Sequence, residues 1–334
     1  MLELIFNLAI FILSFGGLWW SSDILVRSVK NVSLLLGWKE FVVAFVFVAL
    51  FSTIPNFMVD VTAALKKVPH LALGDIIGTN VVNLSLIVGI SALISKAGLS
   101  VPSKTVIGSS YFTLISAILP FILLLDGDLS RADGVLLILL CFIYLFWLFT
   151  KKGRFEKVYD GIEQRIKLDS LLKSFVLLLF SLFILIFSSQ GIINSALYFS
   201  EFFNVSLLFI GASIIGFGTA LPELFFCIQA AKRSQDWMIA GDIMGSVIFS
   251  VSLVLGIVVL IEPILSLTIS QILIARIFLI ISAVLFFWHI RTDKKITRTE
   301  GIFFVLLYFM FLLSQIIFFE REGLIIGYNL DNIF

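Results

Sequence analysis

The sequence is poor in the residues that staple or charge a soluble domain. Only two of its 334 residues are cysteine, Cys141 and Cys227, and both sit inside apolar runs without ligand spacing around them. That excludes a disulfide framework or a zinc site. Asp, Glu, Lys and Arg make up 13% of the chain, about half of what soluble domains carry, which excludes a soluble enzyme. A net charge of +1 gives no electrostatic footprint for nucleic acid. No Walker-type phosphate loop is present, nor a soluble segment large enough to hydrolyse nucleotide, so a primary pump is not expected. The first apolar run has no basic residues ahead of it, only Glu3. Trp19 and Trp20 stand where small residues would mark a cleavage site, so the run is expected to persist as a helix.

What the chain does have is hydrophobic length. Apolar residues make up 60% of it, and charge-free runs such as 4–22, 76–95, 105–125, 174–200 and 301–319 each reach the ~20 residues that cross a bilayer core as helix. Reading runs between polar punctuation gives ten spans, at 4–24, 40–64, 71–95, 105–126, 134–150, 172–198, 206–231, 238–261, 265–290 and 301–319. The fold class is therefore an all-α polytopic membrane protein. The charged stretch 151–169 divides it into five spans in 1–150 and five in 170–320, with a tail at 321–334. Eighteen of the 23 basic residues fall on the side of that stretch, which assigns the 151–169 loop to the cytoplasm and both termini and the tail to the exterior. Trp38, Trp147, Trp237 and Trp288 fall near span ends, as interfacial aromatics do.

Sliding the chain against itself by 167 residues aligns Pro55 with Pro222, Gly74 with Gly241, Asp75 with Asp242, Gly78 with Gly245 and Gly89 with Gly256 without a gap. The same register pairs Ser52 with Thr219, Thr79 with Ser246 and Ser85 with Ser252. Matches on rare residues in a chain dominated by Leu, Ile and Phe mark a duplication. Because each copy holds an odd number of spans, the copies are inverted in the membrane. Inverted repeats with interrupted helices are the architecture of secondary transporters, whose substrate site lies where the halves meet.

Within the repeat, polar residues recur every four positions: Ser52, Asn56, Asp60; Asp75, Thr79, Asn83; Thr219, Glu223, Cys227; and Asp242, Ser246, Ser250. Such stripes share one helix face and belong in the bundle interior, since lipid exposure would be costly. Pro55 and Pro222 interrupt their spans and release the carbonyls of Phe51 and Gly218. Carboxyls, amides, hydroxyls and free carbonyls are the ligands hard cations take, and no cationic residue lies among them. Gly74 with Gly78 and Gly241 with Gly245 are small-residue pairs that allow close helix approach.

The segments 51–60 (FSTIPNFMVD) with 71–90 (LALGDIIGTNVVNLSLIVGI), and 216–227 (GFGTALPELFFC) with 238–256 (MIAGDIMGSVIFSVSLVLG), resemble the alpha repeats of the cation/calcium antiporters, the group of the sodium/calcium exchangers. The resemblance spans nearly the whole chain. It implies that Glu223 is an ion-binding acid, hence the metal ligand, with Thr219 and Ser246 as hydroxyl ligands, and Ser52, Thr53, Thr79 and Asn83 as their counterparts in the first half. Asn56 stands where that family usually has the first-half glutamate, Ser250 where the second half closes with Asn or Asp, and Val247 where an Asn is usual. Asp75 and Asp242 replace its Gly-Asn asparagines.

A Ca²⁺ site normally needs more than one carboxylate. Either the charge is depleted, shifting specificity toward a monovalent cation, or Asp60, Asp75 or Asp242 compensates. An acid at a helix start would have a structural reason to be there, which favours depletion. Asp60 equally suits a span-end residue paired with Lys66 or Lys67. The implied function is a secondary antiporter exchanging Ca²⁺ against Na⁺ or H⁺ by alternating access, with the bilayer and inorganic cations as partners and no cofactor. Rival readings are a relative whose site no longer transports and, remotely, an intramembrane aspartyl protease built on Asp75 and Asp242.

Overall fold

The computed structural model describes residues 2–35, 53–100, 104–150, 168–267 and 269–330, nearly all of them helical. Among them, nine helical spans are long and apolar enough to cross a membrane, joined by the shorter apolar helix Ile54–Leu65. This short helix is the second part of the span expected at 40–64; the first part lies outside the described residues, as do Ser52, Trp38 and the 151–167 portion of the central loop. Several helices outrun the expected bounds. α1 (Leu2–Leu35) and α6 (Leu168–Phe203) extend past their apolar windows. The last helix (Arg298–Leu330) continues through most of the segment read as a tail.

The duplication is reproduced in the secondary structure. Ile54–Leu65 (α2) and Leu221–Lys232 (α8) occupy equivalent positions. The longest buried helix of the first half runs α, π, α through Pro69–Val81, Val82–Ile87 and Val88–Ile94 (together α3). Its counterpart does so through Asp236–Ile248, Phe249–Val254 and Leu255–Ile261 (together α9). Every one of these boundaries recurs 167 residues later. The π segments have a local cause: the Ser85 hydroxyl donates to the Val81 carbonyl and the Ser252 hydroxyl to that of Ile248. Each competes with the backbone donor for an i−4 carbonyl and widens the turn.

The two halves place their helices equivalently as well. In the first half α3 crosses the last helix at Gly89, where an added Cβ would stand 2.6 Å from the Gly301 carbonyl. In the second, α9 crosses α5 (Arg131–Thr150) at Gly256, where a Cβ would stand 2.8 Å from the Gly134 carbonyl. Glycine on both sides of each crossing brings backbone against backbone. Gly74 and Gly78 of α3 likewise face the backbone of residues 208–212.

Helices α3 and α9 form the buried centre, and the outer helices cover them while presenting Phe142, Phe146, Phe303, Phe309 and Leu313 outward, an apolar surface suited to lipid. Trp288 is exposed near the end of its helix, Ile269–Thr292. Where α3 ends and the last helix begins, Leu99–Ser100 pairs antiparallel with Lys295–Ile296. There the Arg298 guanidinium donates twice to the Ser95 carbonyl, while Asp236 accepts from the Ser95 hydroxyl and the Ser100 amide.

Candidate functional site

The site begins with a broken helix. Residues 207–219 run as helix to Thr219, and α8 restarts at Leu221 with Pro222 in its first turn. Proline is suited to a first turn, where its missing N–H is not needed. Glu223 follows it directly and is buried in the protein interior. In the first half Pro55 occupies the first turn of α2 after Thr53, and Asn56 takes the place of Glu223. The two post-proline helices pack against α3 and α9, whose polar stripes face them.

Two adjoining polar clusters result. In one, the Ser246 hydroxyl donates to Glu223 Oε1 at 2.7 Å, while Oε2 has no hydrogen-bond partner. The Asn83 amide adjoins Glu223 with neither of its polar atoms hydrogen bonded in standard geometry. The Cys227 thiol donates to Asp242 Oδ2 at 3.7 Å, and Asp242 is close enough to Glu223 for their charges to interact. The second cluster centres on Asp75. The hydroxyls of Thr79 and Thr219, 3.0 Å apart, reach its Oδ1 at 3.1 and 2.8 Å, and the Gly216 carbonyl lies 3.2 Å from Thr79 Oγ1. A Cβ at Gly216 would meet the Thr79 backbone nitrogen at 2.7 Å, so glycine there lets that carbonyl approach the stripe. The Asp60 carboxyl faces that of Asp75.

Several expectations are corrected by this placement. Asp75 and Asp242 are not at helix starts: each is the seventh residue of its helix and is fully buried. The helix-dipole reason for an acid at those positions therefore does not apply. Asp60 is not a span-end residue paired with lysine. It lies inside α2 with no exposure, while the Lys66 ammonium reaches Asn194 Oδ1 instead. Asp75 faces Asp60 and Asp242 faces Glu223, so the Asp75–Asp242 dyad on which an aspartyl-protease reading rests is not formed.

Thr53, Asn56, Thr79, Asn83, Thr219, Glu223, Ser246 and Ser250 are all buried where expected; Ser52 lies outside the described residues. Ser250, however, donates to Asn80 Oδ1 at 3.0 Å. Asn80 escaped the sequence reading because it lies off the period-four stripe, although the Gly-Thr-Asn pattern contains it. Among the described residues no three His, Cys, Asp or Glu groups converge closely enough to hold one metal ion.

Of the described residues, four acids are buried, Asp60, Asp75, Glu223 and Asp242, together with no Lys, Arg or His. Buried carboxyls without cationic partners inside a membrane bundle are the hallmark of an ion or proton path.

Comparison with known proteins agrees. The model of the sodium/calcium exchanger protein family matches residues 6–150 and again 173–317, two stretches that begin 167 residues apart. A putative antiporter, CaxA of Alkalimonas amylolytica, is 29% identical over 73% of this chain and 77% of its own length. The sodium/calcium exchanger MaX1 of Methanosarcina acetivorans is 25% identical over 87% of this chain and 93% of its own. The solved structure of the sodium-calcium exchanger NCX_Mj soaked with Na⁺ and Sr²⁺ is 26% identical and covers 93% of this chain and 99% of that one at a TM-score of 0.64. With both halves matched by one family model and the fold shared with a solved exchanger, the chain belongs to the sodium/calcium exchanger family, as a multi-pass membrane transporter and not an enzyme.

Proposed function

We propose that this chain exchanges Ca²⁺ against Na⁺ or H⁺ by alternating access, with Glu223, Ser246, Asn83, Thr79 and Thr219 among the cation ligands. One observation carries the reading: four acids, two from each half, are buried in the centre of a membrane bundle, and among the described residues no Lys, Arg or His is buried with them. An uncompensated buried charge is strongly destabilising, so a transported cation or proton is the natural partner. The names of the relatives, exchangers and an antiporter, support the same ions. Asn56 and Ser250 are neutral where acids are usual, yet Asp75 and Asp242 sit deep in their helices, which supports compensation over charge depletion.

The protein is further proposed to lie in the cell membrane with the 151–169 loop inside. Reconstitution into proteoliposomes tests the function: radiolabelled Ca²⁺ should accumulate against an opposed Na⁺ or H⁺ gradient and stop when that gradient is collapsed. Na⁺ exchange without Ca²⁺ movement would shift the specificity to a monovalent cation. No flux of either ion would identify a relative that no longer transports.

A further inference from the structure

We infer that the Asp60 and Asp75 carboxyls form a second cation position, built with Thr79 and Thr219 and separate from Glu223. The inference rests on the antiporter reading above and deepens it. Both acids have no solvent exposure. Asp75 Oδ1 accepts from the two threonines, but its Oδ2 and both oxygens of Asp60 have no hydrogen-bond donor. Two carboxyls therefore face each other with no amide, hydroxyl or basic group between them, so a proton or a cation has to join them in a low-dielectric interior.

The duplication shows what this contact is like when it is satisfied within the protein. Asp75 corresponds to Asp242, and Asp60 corresponds to Cys227. In the second half the Cys227 thiol supplies the donor to Asp242. In the first half the same position supplies another carboxyl. Where one repeat sets a thiol donor against its aspartate, the other sets a second carboxyl. Its oxygens, two carboxyls and two hydroxyls with the Gly216 carbonyl alongside, are of the kind that hard cations take. Asp60 is also one helical turn beyond Asn56 on the same face of α2, so this position lies displaced along that helix from the place where the family resemblance implies a glutamate.

The test is equilibrium binding of radiolabelled Na⁺ and, separately, Ca²⁺ to the purified full chain, in wild type, Glu223→Gln, Asp60→Asn and Asp60→Cys, and in Glu223→Gln combined with each Asp60 variant. Asparagine and cysteine both offer Asp75 the donor that Cys227 offers Asp242, so the fold is expected to persist. Glu223→Gln should retain a binding component for at least one of the ions, and whichever ion shows it identifies the occupant. Adding either Asp60 substitution should raise its half-saturating concentration about tenfold or more, because one full charge leaves the position. Residual binding that both Asp60 variants leave unchanged would overturn the inference and mean that the two carboxyls only share a proton.

Should neither Asp60 variant fold, the stoichiometry of Glu223→Gln alone decides: a bound cation supports the second position, and none overturns it. Binding is read without transport, so a chain that binds at this position but moves no ion in proteoliposomes would refute the antiporter reading alone. A wild type that binds neither ion refutes both.

Discussion

Replacing Glu223 with Gln should abolish ion-driven flux while leaving the folded protein intact, and the structure sets the size of each effect. The Ser246 hydroxyl donates to Glu223 Oε1 at 2.7 Å, and Gln retains that acceptor, so the buried hydrogen bond survives. What disappears is one unit of charge at Oε2, which has no donor. At about 4 Å from a monovalent cation, with an effective dielectric near 20, that charge is worth ~4 kcal/mol, and twice that for a divalent ion. A neutral amide oxygen recovers part of it. Cation affinity should fall by about two to three orders of magnitude, since ~1.4 kcal/mol is tenfold. In the absence of ions the variant should unfold at the same or a higher temperature than wild type, because an uncompensated buried charge has been removed. The stabilisation that Ca²⁺ gives wild type by mass action, ~2.7 kcal/mol at a hundredfold excess over Kd, should be missing. Calcium uptake into proteoliposomes and thermal unfolding in detergent, each with and without ion, measure both halves of the claim. Wild-type flux in Glu223→Gln would show that the acid is structural and that the site has been misplaced.

Three other outcomes follow from the same structure. Asn56→Glu should leave Ca²⁺ uptake unimproved and Asp75→Asn should lower apparent affinity about tenfold or more; a gain from the first with no loss from the second, read in the same flux assay, would establish charge depletion. Gly134→Ala, whose Cβ would stand 2.9 Å from the Gly256 carbonyl, should cost ~1–3 kcal/mol through overpacking, seen as a lowered unfolding temperature, whereas Gly16→Ala, with no atom within 4 Å of its Cβ, should be neutral or slightly stabilising. A cysteine placed at Gly153 in a background lacking Cys141 and Cys227 should react with impermeant reagents only from the cytoplasmic face, as the distribution of basic residues demands; labelling of intact cells would invert the topology.

The repeat was legible because its markers are rare residues. Glycine, proline and aspartate pairs at one fixed offset stand out against a background of Leu, Ile and Phe, and every helix boundary in α2, α3, α8 and α9 then falls at that offset. Glycine crossings were only half legible: Gly89 and Gly256 were visible as a pair, but their partners Gly301 and Gly134 needed the packing to be seen. The π segments were not legible at all. Ser85 and Ser252 were matched as equivalents, yet a serine that bonds back to an i−4 carbonyl has no sequence mark to distinguish it from one that does not. Helix ends were missed for another reason: apolar windows measure what lipid covers, and helices such as α1 continue past it.

The acids show most clearly where sequence reasoning stopped. A period-four stripe identifies a helix face but not the depth of a residue along it, so Asp75 could be placed at a helix start although Pro69 already opens that helix six residues, about 9 Å, earlier. Depth changes the meaning of the whole set. On the post-proline helices the first half carries its acid at Asp60 and the second at Glu223, positions one helical turn apart in the repeat, while Asn56 and Cys227 fill the complementary places. Each half thus retains two buried acids, Asp60 with Asp75 and Glu223 with Asp242, although the residues that carry them differ. Transport of a cation through a low-dielectric centre constrains total charge more tightly than the identity of any one ligand. An acid lost at Asn56 can therefore be offset one turn away, at a position where the other repeat needs only a thiol.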